Sequence, residues 1–277
     1  MKLIKPVPVG SRFSLADIDP GDHLGLKNKA HTYEQTESIT REIGDLQQRL
    51  FADSTQALLV VLQGMDTAGK DGTIRRVFDH VNPAGMNVCS FKTPGGEEKW
   101  HDFLWRVHKR APAFGQIGIF NRSHYEDVLI VRVHADSMLP PHLRREKHLF
   151  PRRFEMIKAF EKLLIDSRIK IIKFFLHISK DEQRNRLKAR QTDRSKNWKL
   201  SASDFAERKF WDKYQICYED MIRATSTRHA PWHIIPSDHK WVRDHCVATI
   251  VRATLADMNP HPPVPANRPI SARDTDN

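Results

Sequence analysis

A glycine-rich stretch at residues 64–72 carries the clearest chemistry in the sequence. It reads GMDTAGKDG, follows the apolar run LLVVLQ and precedes the helical pattern DGTIRRVFDHV. This spacing is typical of a loop in which backbone N–H groups and a helix N-terminus surround a phosphate, while Lys70 neutralises its charge. A glycine turn that merely joins a strand to a helix is the alternative. We predict that Lys70 is catalytic and that phosphate or nucleotide is bound by Gly64, Met65, Thr67, Ala68, Gly69, Asp71, Gly72 and Thr73.

Two carboxylates lie within this loop, where they would repel a phosphate unless a cation lay between them. Asp66 therefore fits a magnesium ligand or a group that orients an acceptor phosphate, and we predict that it is both catalytic and metal-binding. Asp71 stands where a serine or threonine usually reaches magnesium. Because an acidic residue on a first helical turn also suits the helix dipole, the role of Asp71 stays open.

A second polar cluster, IFNRSHYEDV at residues 119–128, follows a predicted strand. Arg122 is predicted to be catalytic, because its planar guanidinium grips two phosphate oxygens. Asn121 occupies the position where an acidic residue usually holds the metal, and we place it among the nucleotide-binding residues. Glu126 and Asp127 are candidates to replace that carboxylate or to act on the acceptor. We assign Glu126 to catalysis and Asp127 to the metal, and we expect the neighbouring histidine and tyrosine to pack rather than react.

A basic block at residues 184–213 holds ten lysines and arginines against four acidic residues. A solvated helix face is the ordinary explanation of such a run, and a nucleic-acid surface with stacking tryptophans is another. Its position after a predicted strand favours a mobile lid that closes arginines over transferring phosphates. Arg186 and Arg190 are spaced to share a helical face, and we predict phosphate contacts from Arg186 and Lys196.

The elements that must position these residues alternate between strands and helices. Short apolar runs predict strands at residues 57–62, 87–91, 116–120, 170–178 and 232–235. Helical periodicity marks residues 33–51, 71–81, 97–109, 144–166, 180–191, 203–225 and 239–257. This alternation predicts an α/β fold, with a parallel sheet covered on both faces by helices. Ligands of such sheets bind at the carboxyl ends of the strands, where the glycine-rich loop and segment 119–128 would meet.

Length and composition favour one domain in a reducing compartment. The 277 residues show no internal repeat, and we expect an N-terminal arm at 1–30 and a flexible, proline-rich tail at 259–277. The net charge of +11 favours an anionic partner, whether nucleic acid, an acidic membrane surface or a phosphorylated substrate. Three cysteines without a CxxC pair argue against disulfide or zinc scaffolding, and no apolar run is long enough to cross a bilayer. A cytoplasmic protein is the expectation.

Taken together, the motifs strongly resemble the second family of polyphosphate kinases. The matching segments are LLVVLQGMDTAGKDGTIRRVFDHVNPAG, SFKTPGGEEKWHDFLWRVHKRAP, GQIGIFNRSHYEDVLIVRVH, LKARQTDRSKNWKLSASDFAERKFWDKY and APWHIIPSD, within about residues 33–255. The resemblance implies a P-loop kinase fold of the thymidylate-kinase type with a helical, arginine-bearing lid. It also implies reversible transfer of the terminal phosphoryl group of inorganic polyphosphate to AMP and ADP, giving ADP and ATP, with magnesium or manganese as cofactor.

The resemblance further assigns individual residues and partners. Functional positions of the family correspond to Asp66, Lys70, Arg122 and, in the lid sequence LKARQTD, Arg190. Where other members have an FDR pattern, FNRSHYEDV is similar to the subgroup that accepts both nucleoside mono- and diphosphates, in which the residue matching Glu126 is linked to acceptor choice. A homodimer or homotetramer is expected, with guanine nucleotides as further ligands and without nucleic acid or membrane partners.

Two other functions are compatible with parts of the sequence. The loop alone permits an ordinary nucleotide kinase that uses ATP as donor. The positive charge alone suffices for a non-enzymatic protein that binds phosphate or nucleic acid. The excess of basic residues and the full set of motifs argue against the ATP-dependent kinase.

Overall fold

The centre of the molecule is a five-stranded parallel sheet. The computed structural model describes residues 4–193 and 202–263, with the backbone alone at 202–204. The strands are β1 (Ala57–Gln63), β2 (Met86–Ser90), β3 (Ile117–Asn121), β4 (Ile169–His177) and β5 (Trp232–Pro236). Their order in the sheet is β2-β3-β1-β4-β5, and every adjacent pair is parallel. The predicted α/β fold and all five predicted strands are confirmed, with ends that differ by at most two residues.

The middle strands are buried along most of their length because helices cover both of their faces. All seven residues of β1 are buried, and β4 is buried at every position but Lys170. The edge strand β2 is mostly exposed or half-buried, in keeping with its position. Since the chain leaves the central strand β1 for β2 and β3 on one side and later returns to β4 on the other, the carboxyl end of β1 is the place where a crevice opens.

Eleven α-helices in the described residues surround the sheet. They are α1 (Lys29–Asp53), α2 (Lys70–Val77), α3 (Trp105–His108), α4 (Ile130–Val133), α5 (Ala135–Met138), α6 (Pro141–Arg144), α7 (Leu149–Asp166), α8 (Lys180–Thr192), α9 (Ala202–Glu207), α10 (Trp211–Thr225) and α11 (Lys240–Met258). Short 3-10 helices lie at Leu15–Asp17, Pro83–Gly85, Gly96–Trp100, His124–Val128 and Arg208–Phe210. Helix α1 packs on α11 and α2, while α7 packs on α10 and β4. None of the helices in the described ranges has both the length and the apolar character needed to span a bilayer.

The predicted helix at 71–81 ends at Val77, and the one at 33–51 is longer, at Lys29–Asp53. Three other predicted helices are also wrong in their extent. The one at 97–109 is a 3-10 turn at Gly96–Trp100 followed by the four-residue α3, because the Asp102 carboxylate accepts the Leu104 N–H at 2.9 Å and forms a turn between them. The one expected at 144–166 begins at Leu149, and short helices precede it. The third, at 203–225, is interrupted by the 3-10 turn Arg208–Phe210.

The N-terminal arm runs along β5 and past the carboxyl ends of β4 and β5. The Val7 N–H donates to the Trp232 carbonyl at 2.8 Å, so the arm pairs with the outer edge of β5. Further on, the Ile18 carbonyl lies 3.0 Å from His177 Nε2, and the Pro20 carbonyl accepts the Asp238 N–H at 3.1 Å. Of the predicted tail, residues 264–277 lie outside the described part, as do residues 194–201 of the predicted lid.

Candidate active site

The glycine-rich loop connects β1 to α2 in a conformation that its glycines make possible. Gly64 and Gly69 have φ angles of +151° and +108°, which side chains rarely tolerate. A Cβ at Gly69 would also overlap the guanidinium of Arg243. Thr67 has a φ of +66°, and its hydroxyl is buried without a hydrogen-bond partner among the described residues. An unpaired hydroxyl in a loop of this shape suits a ligand oxygen.

Lys70 begins α2 and reaches back over the loop. Its ammonium donates to the carbonyl of Gly64 at 2.7 Å and to that of Met65 at 3.3 Å, and the residue is 8 % exposed. Burial, with the nearby positive charge of Arg122, lowers the pKa of Lys70 to about 8. An anion beside this ammonium would therefore relieve an unfavourable environment, as a phosphate site requires.

Arg122 and Asp66 join the ends of β3 and β1. A guanidinium nitrogen of Arg122 donates to Asp66 Oδ1 at 2.6 Å, and another lies 3.8 Å from Glu126. Burial acts to lower the pKa of Arg122, but the two carboxylates outweigh it, so the pKa is raised. The φ of Arg122 is +65°, a strained conformation held by its N–H bond to the Leu62 carbonyl. The structure thus brings three of the predicted catalytic residues into one cluster.

Two further predicted residues meet beside this cluster. The Asn121 amide donates to Asp71 Oδ1 at 2.7 Å and links the end of β3 to the first turn of α2. Burial raises the pKa of Glu126, although Arg122 and Lys70 act in the opposite direction. Asn121, Asp71 and Glu126 therefore line the same end of the sheet as the loop.

Asp127 points into a different environment. Its carboxylate lies 3.9 Å from Arg106 and 4.0 Å from Arg153, and its backbone carbonyl accepts from Arg153 at 2.6 Å. Burial raises the pKa of Asp127 to about 6 in spite of these arginines. The described contacts of Asp127 are thus with arginines rather than with the loop, and its metal-binding role stays a prediction.

The predicted lid residues divide into three cases. Arg186, on α8, donates to the backbone carbonyls of Thr67 and Ala68 at 3.0 and 3.1 Å. Arg190 lies one turn further along α8 and is half-buried, and Lys196 lies outside the described residues. Because the bonds of Arg186 go to the protein backbone, its contact with phosphate also stays a prediction.

Two other predicted residues contact α11 in the structure, and their role in nucleotide binding stays a prediction. The buried Thr73 hydroxyl donates to Asp244 Oδ1 at 3.3 Å, and Gly72 passes close to the Arg243 guanidinium. Sequence reasoning did not select Arg243, Asp244 or Gln183, although all three contact the loop or its helix. For Arg243 and Asp244, the signal in the sequence was a pair of adjacent charged residues within an apolar stretch of α11. Charged residues are buried in such a stretch only where they have partners.

Two carboxylates beside the loop could hold a metal ion together with phosphate oxygens. Asp66 and Glu126 both approach Arg122, so their carboxylates lie at one mouth of the loop. The described residues contain no group of three or more His, Cys, Asp or Glu side chains that could hold a metal. Magnesium commonly takes one or two carboxylates and fills its shell with water and substrate phosphates, so a partial protein ligand set is what such a site needs.

Comparison with known proteins places this geometry in a family. The family described as Polyphosphate kinase 2 matches residues 26–263. The chain is also 44 % identical to the AMP/ADP-polyphosphate phosphotransferase of Meiothermus ruber, over 96 % of both chains. The chain belongs to the polyphosphate kinase 2 family. It is therefore a phosphotransferase of the polyphosphate-dependent type, and the resemblance drawn from the motifs is confirmed.

Two further relatives support the family over most of the chain. The ADP-polyphosphate phosphotransferase of Rhodopseudomonas palustris is 42 % identical over 84 % of this chain and 82 % of its own. The crystal structure of Polyphosphate Kinase 2 from Arthrobacter aurescens superposes with a TM-score of 0.88 at 37 % identity, covering 99 % of this chain and 98 % of that one. The P-loop kinase-like architecture of this polyphosphate kinase 2 chain is thus shared with a solved structure.

Proposed function

We propose that this polyphosphate kinase 2 transfers the terminal phosphoryl group of inorganic polyphosphate to AMP and to ADP, giving ADP and ATP, and also runs in reverse. The observation that carries the proposal is the Asp66–Arg122 contact of 2.6 Å at the mouth of the loop. It places a carboxylate and a guanidinium beside the buried ammonium of Lys70, where two phosphate chains need both neutralisation and a metal ligand. The names of the relatives support AMP and ADP as acceptors.

In this reaction the protein positions the reacting phosphates and neutralises their charge. An anionic oxygen of the acceptor phosphate attacks the terminal phosphorus, a new O–P bond forms, and the bond to the bridging oxygen breaks. The electron pair leaves with the shortened polyphosphate. Because the attacking oxygen is already anionic, no general base is needed. Lys70 and Arg122 hold the reacting phosphates and offset their charge, and Arg190 on α8 is the lid residue proposed to complete this work.

Magnesium is the proposed cofactor, with manganese as a substitute. When bound, the ion would offset charge on the transferring group. Asp66 is the residue proposed to hold it, and Glu126 is the second carboxylate at the same mouth. Asn121 and Glu126 are proposed to face the acceptor, because they lie at the end of β3 beside Asp71 and Arg122.

One assay tests the function. Purified protein is mixed with magnesium, long-chain polyphosphate and either AMP or ADP, with ATP absent, and the nucleotides are followed by chromatography. ADP from AMP and ATP from ADP are expected. Absence of product in both tubes would overturn the proposal, and activity restored only by ATP would point to an ordinary nucleotide kinase. Product in the ADP tube alone would remove AMP from the acceptors.

The role of Asp66 is tested by Asp66→Asn, which removes the metal-binding charge and the ion pair with Arg122. We expect kcat/KM to fall about 100-fold or more. Asp166→Asn is the matched control, since Asp166 is an exposed partner of Lys162 on α7. Equal loss in both variants, or no loss in either, would remove Asp66 from the mechanism.

Assembly and location are part of the proposal. We expect a homodimer or homotetramer in sedimentation experiments, and guanine nucleotides as weaker acceptors. The three cysteines are free thiols, which suits the proposed cytoplasmic location.

A further inference from the structure

Three consecutive carbonyl groups of the loop are held by side chains from α8 and α11. The carbonyl of Asp66 accepts from Gln183 Nε2 at 3.1 Å, and that of Thr67 accepts from Arg186 at 3.0 Å. The carbonyl of Ala68 accepts from Arg186 at 3.1 Å and from Arg243 at 3.2 Å. Each of these hydrogen bonds fixes the orientation of one peptide group, so together they specify the loop conformation.

The direction of the carbonyls determines the direction of the N–H groups. In a trans peptide C=O and N–H point to opposite sides, and the structure has no cis peptide bonds in its described residues. Fastening three carbonyls toward α8 and α11 therefore turns the peptide N–H groups that follow them to the opposite side of the loop. Of these, the Ala68 N–H donates to the Met65 carbonyl at 3.1 Å, and those of Thr67 and Gly69 are the candidates to bind an anion. The left-handed φ of Thr67 is part of such an arrangement, in which successive N–H groups form a concave anion site.

Arg243 is buried where it donates to the Ala68 carbonyl of the loop. The residue is 2 % exposed, and its Nε donates to Asp244 Oδ1 at 2.8 Å. The same Asp244 oxygen accepts the hydroxyl of Thr73, on the first turns of α2. The guanidinium lies against Gly69, where any side chain would displace it. One buried ion pair thus supports both the end of the loop and the start of its helix.

Arg186 and Gln183 extend the support to neighbouring segments. All three nitrogens of the Arg186 guanidinium are engaged: beyond the loop carbonyls they reach the carbonyls of Ser237 and Asp238 and the Glu182 carboxylate. Gln183 is 1 % exposed, and its Oε1 accepts from Arg208 at 2.7 Å. The start of α8, the turn at Arg208 and the segment that follows β5 are therefore all linked to the loop by hydrogen bonds.

We propose that Gln183, Arg186 and Arg243 are positioning residues, which hold the loop carbonyls away from the ligand so that the N–H groups of Thr67 and Gly69 bind phosphate. For Arg186 this replaces direct phosphate binding by support of the loop from behind. The inference rests on the proposed function in one respect, namely that the loop binds the phosphates of the substrates. The affinity of the loop for a phosphate chain would then depend on residues that do not touch the phosphate chain.

The test measures binding separately from turnover. Inorganic triphosphate is titrated into wild type and Arg243→Met by calorimetry, and hydrogen exchange of residues 64–70 is followed with and without triphosphate. We expect Kd to rise about tenfold or more in Arg243→Met, as the loss of a hydrogen bond from a charged donor implies, and loop exchange to accelerate. Arg252→Met is the matched control, since Arg252 lies on the same helix beside Glu42 and should leave both readouts unchanged.

Two further measurements cover a failure of Arg243→Met to fold. Gln183→Leu keeps the size of the side chain and removes the bond to the Asp66 carbonyl, and we expect a Kd about severalfold higher. Added guanidinium at millimolar concentration should partly restore triphosphate binding to Arg243→Ala, which a loss of global stability would not allow. Folded variants that bind triphosphate as wild type does would overturn the inference. A protein that binds triphosphate but transfers no phosphoryl group would instead refute the proposed function and leave this inference standing.

Discussion

Two buried lysines in this molecule have opposite surroundings. Lys173, in the middle of β4, donates to Glu161 at 2.7 Å, to the Tyr125 hydroxyl at 2.9 Å and to the Thr225 carbonyl at 2.8 Å. Lys70, at the start of α2, donates to two neutral carbonyls, and no carboxylate of the described residues lies within ion-pair distance of it. One ammonium is in a close ion pair inside the protein. The other donates to two neutral carbonyls, and the carboxylates of Asp66, Glu126 and Asp71 act on it from beyond ion-pair distance.

The contacts of the two lysines differ in whether they leave the ammonium able to bind a ligand. Burial acts to raise the pKa of Glu161, but the charge of Lys173 outweighs it and the pKa is lowered, so the pair stays ionised as a closed unit. It also holds Tyr125, whose hydroxyl donates to Glu161 at 2.6 Å, within the turn that carries Glu126. Lys70 has no such partner and retains the capacity to bind an anion. The lysine proposed to bind substrate is thus the buried one without a close counter-ion, and the paired one has a structural role.

The largest expected effect is on stability, from Lys173→Met. Removal of the ammonium leaves the Glu161 carboxylate buried without its counter-charge, so we expect the free energy of unfolding to fall by about 3–5 kcal/mol. Urea unfolding followed by circular dichroism measures it.

The double variant Lys173→Met/Glu161→Gln is the control for that measurement. Because it removes both charges, it should recover most of the loss. A single variant as stable as wild type, or a double variant less stable than the single one, would contradict the closed-pair interpretation.

Lys70→Met should act on catalysis instead. We expect kcat/KM with polyphosphate to fall about 10²–10³-fold, because the charge offered to the reacting phosphates is gone. The unfolding free energy should stay equal or rise, since the variant removes a buried, unpaired charge. Lys162→Met, at an exposed lysine paired with Asp166, is the matched control and should change neither. A large loss of stability in Lys70→Met would place Lys70 in the same class as Lys173.

The affinity of Lys70 for an anion should depend on pH. The pKa of Lys70 is about 8, so its ammonium loses its proton as pH rises through that value, and affinity for triphosphate should fall about tenfold between pH 7.5 and 9. Since this pKa lies below the ordinary 10.5, the unfolded chain binds the proton more tightly, and the Lys70 contribution to stability rises between about pH 8 and 10.5. Calorimetry of wild type and Lys70→Arg measures the first effect, and a flat profile in wild type would contradict it.

The smallest expected effect is that of salt. Raising the ionic strength screens the attraction between polyphosphate and the open basic site, so KM should increase severalfold between about 0.05 and 0.5 M salt. The stability difference between wild type and Lys173→Met should stay constant over the same range, because the buried pair is shielded from solvent ions. A salt-dependent difference would mean that solvent reaches the pair.

The sequence predicted what depends on local pattern. The strands were found because each is a short apolar run, and the loop because its glycine and lysine spacing is local. The contacts of Gln183 and Arg243 were not found, since they join residues 117 and 175 positions apart through the packing of α8 and α11. Lys173 was visible as a charge inside a predicted strand, but nothing in its spacing identifies Glu161 as its partner. The turn at His124–Val128 was missed, although Ser123 before it accepts the Tyr125 N–H and is a local signal for the start of a helical turn.

The N-terminal arm bears on where the folding unit of this kinase begins. Its Pro20 carbonyl holds Asp238, whose own carbonyl holds Arg186, which in turn holds the loop. The match to the family model starts at residue 26, after this chain of contacts has begun, although the similarity to the Meiothermus ruber enzyme covers 96 % of the chain. A gene fragment trimmed to the residues that the family model matches would keep every recognised motif and lose a brace of the glycine-rich loop. The boundary of the family model is thus not the boundary of the structure that supports the loop.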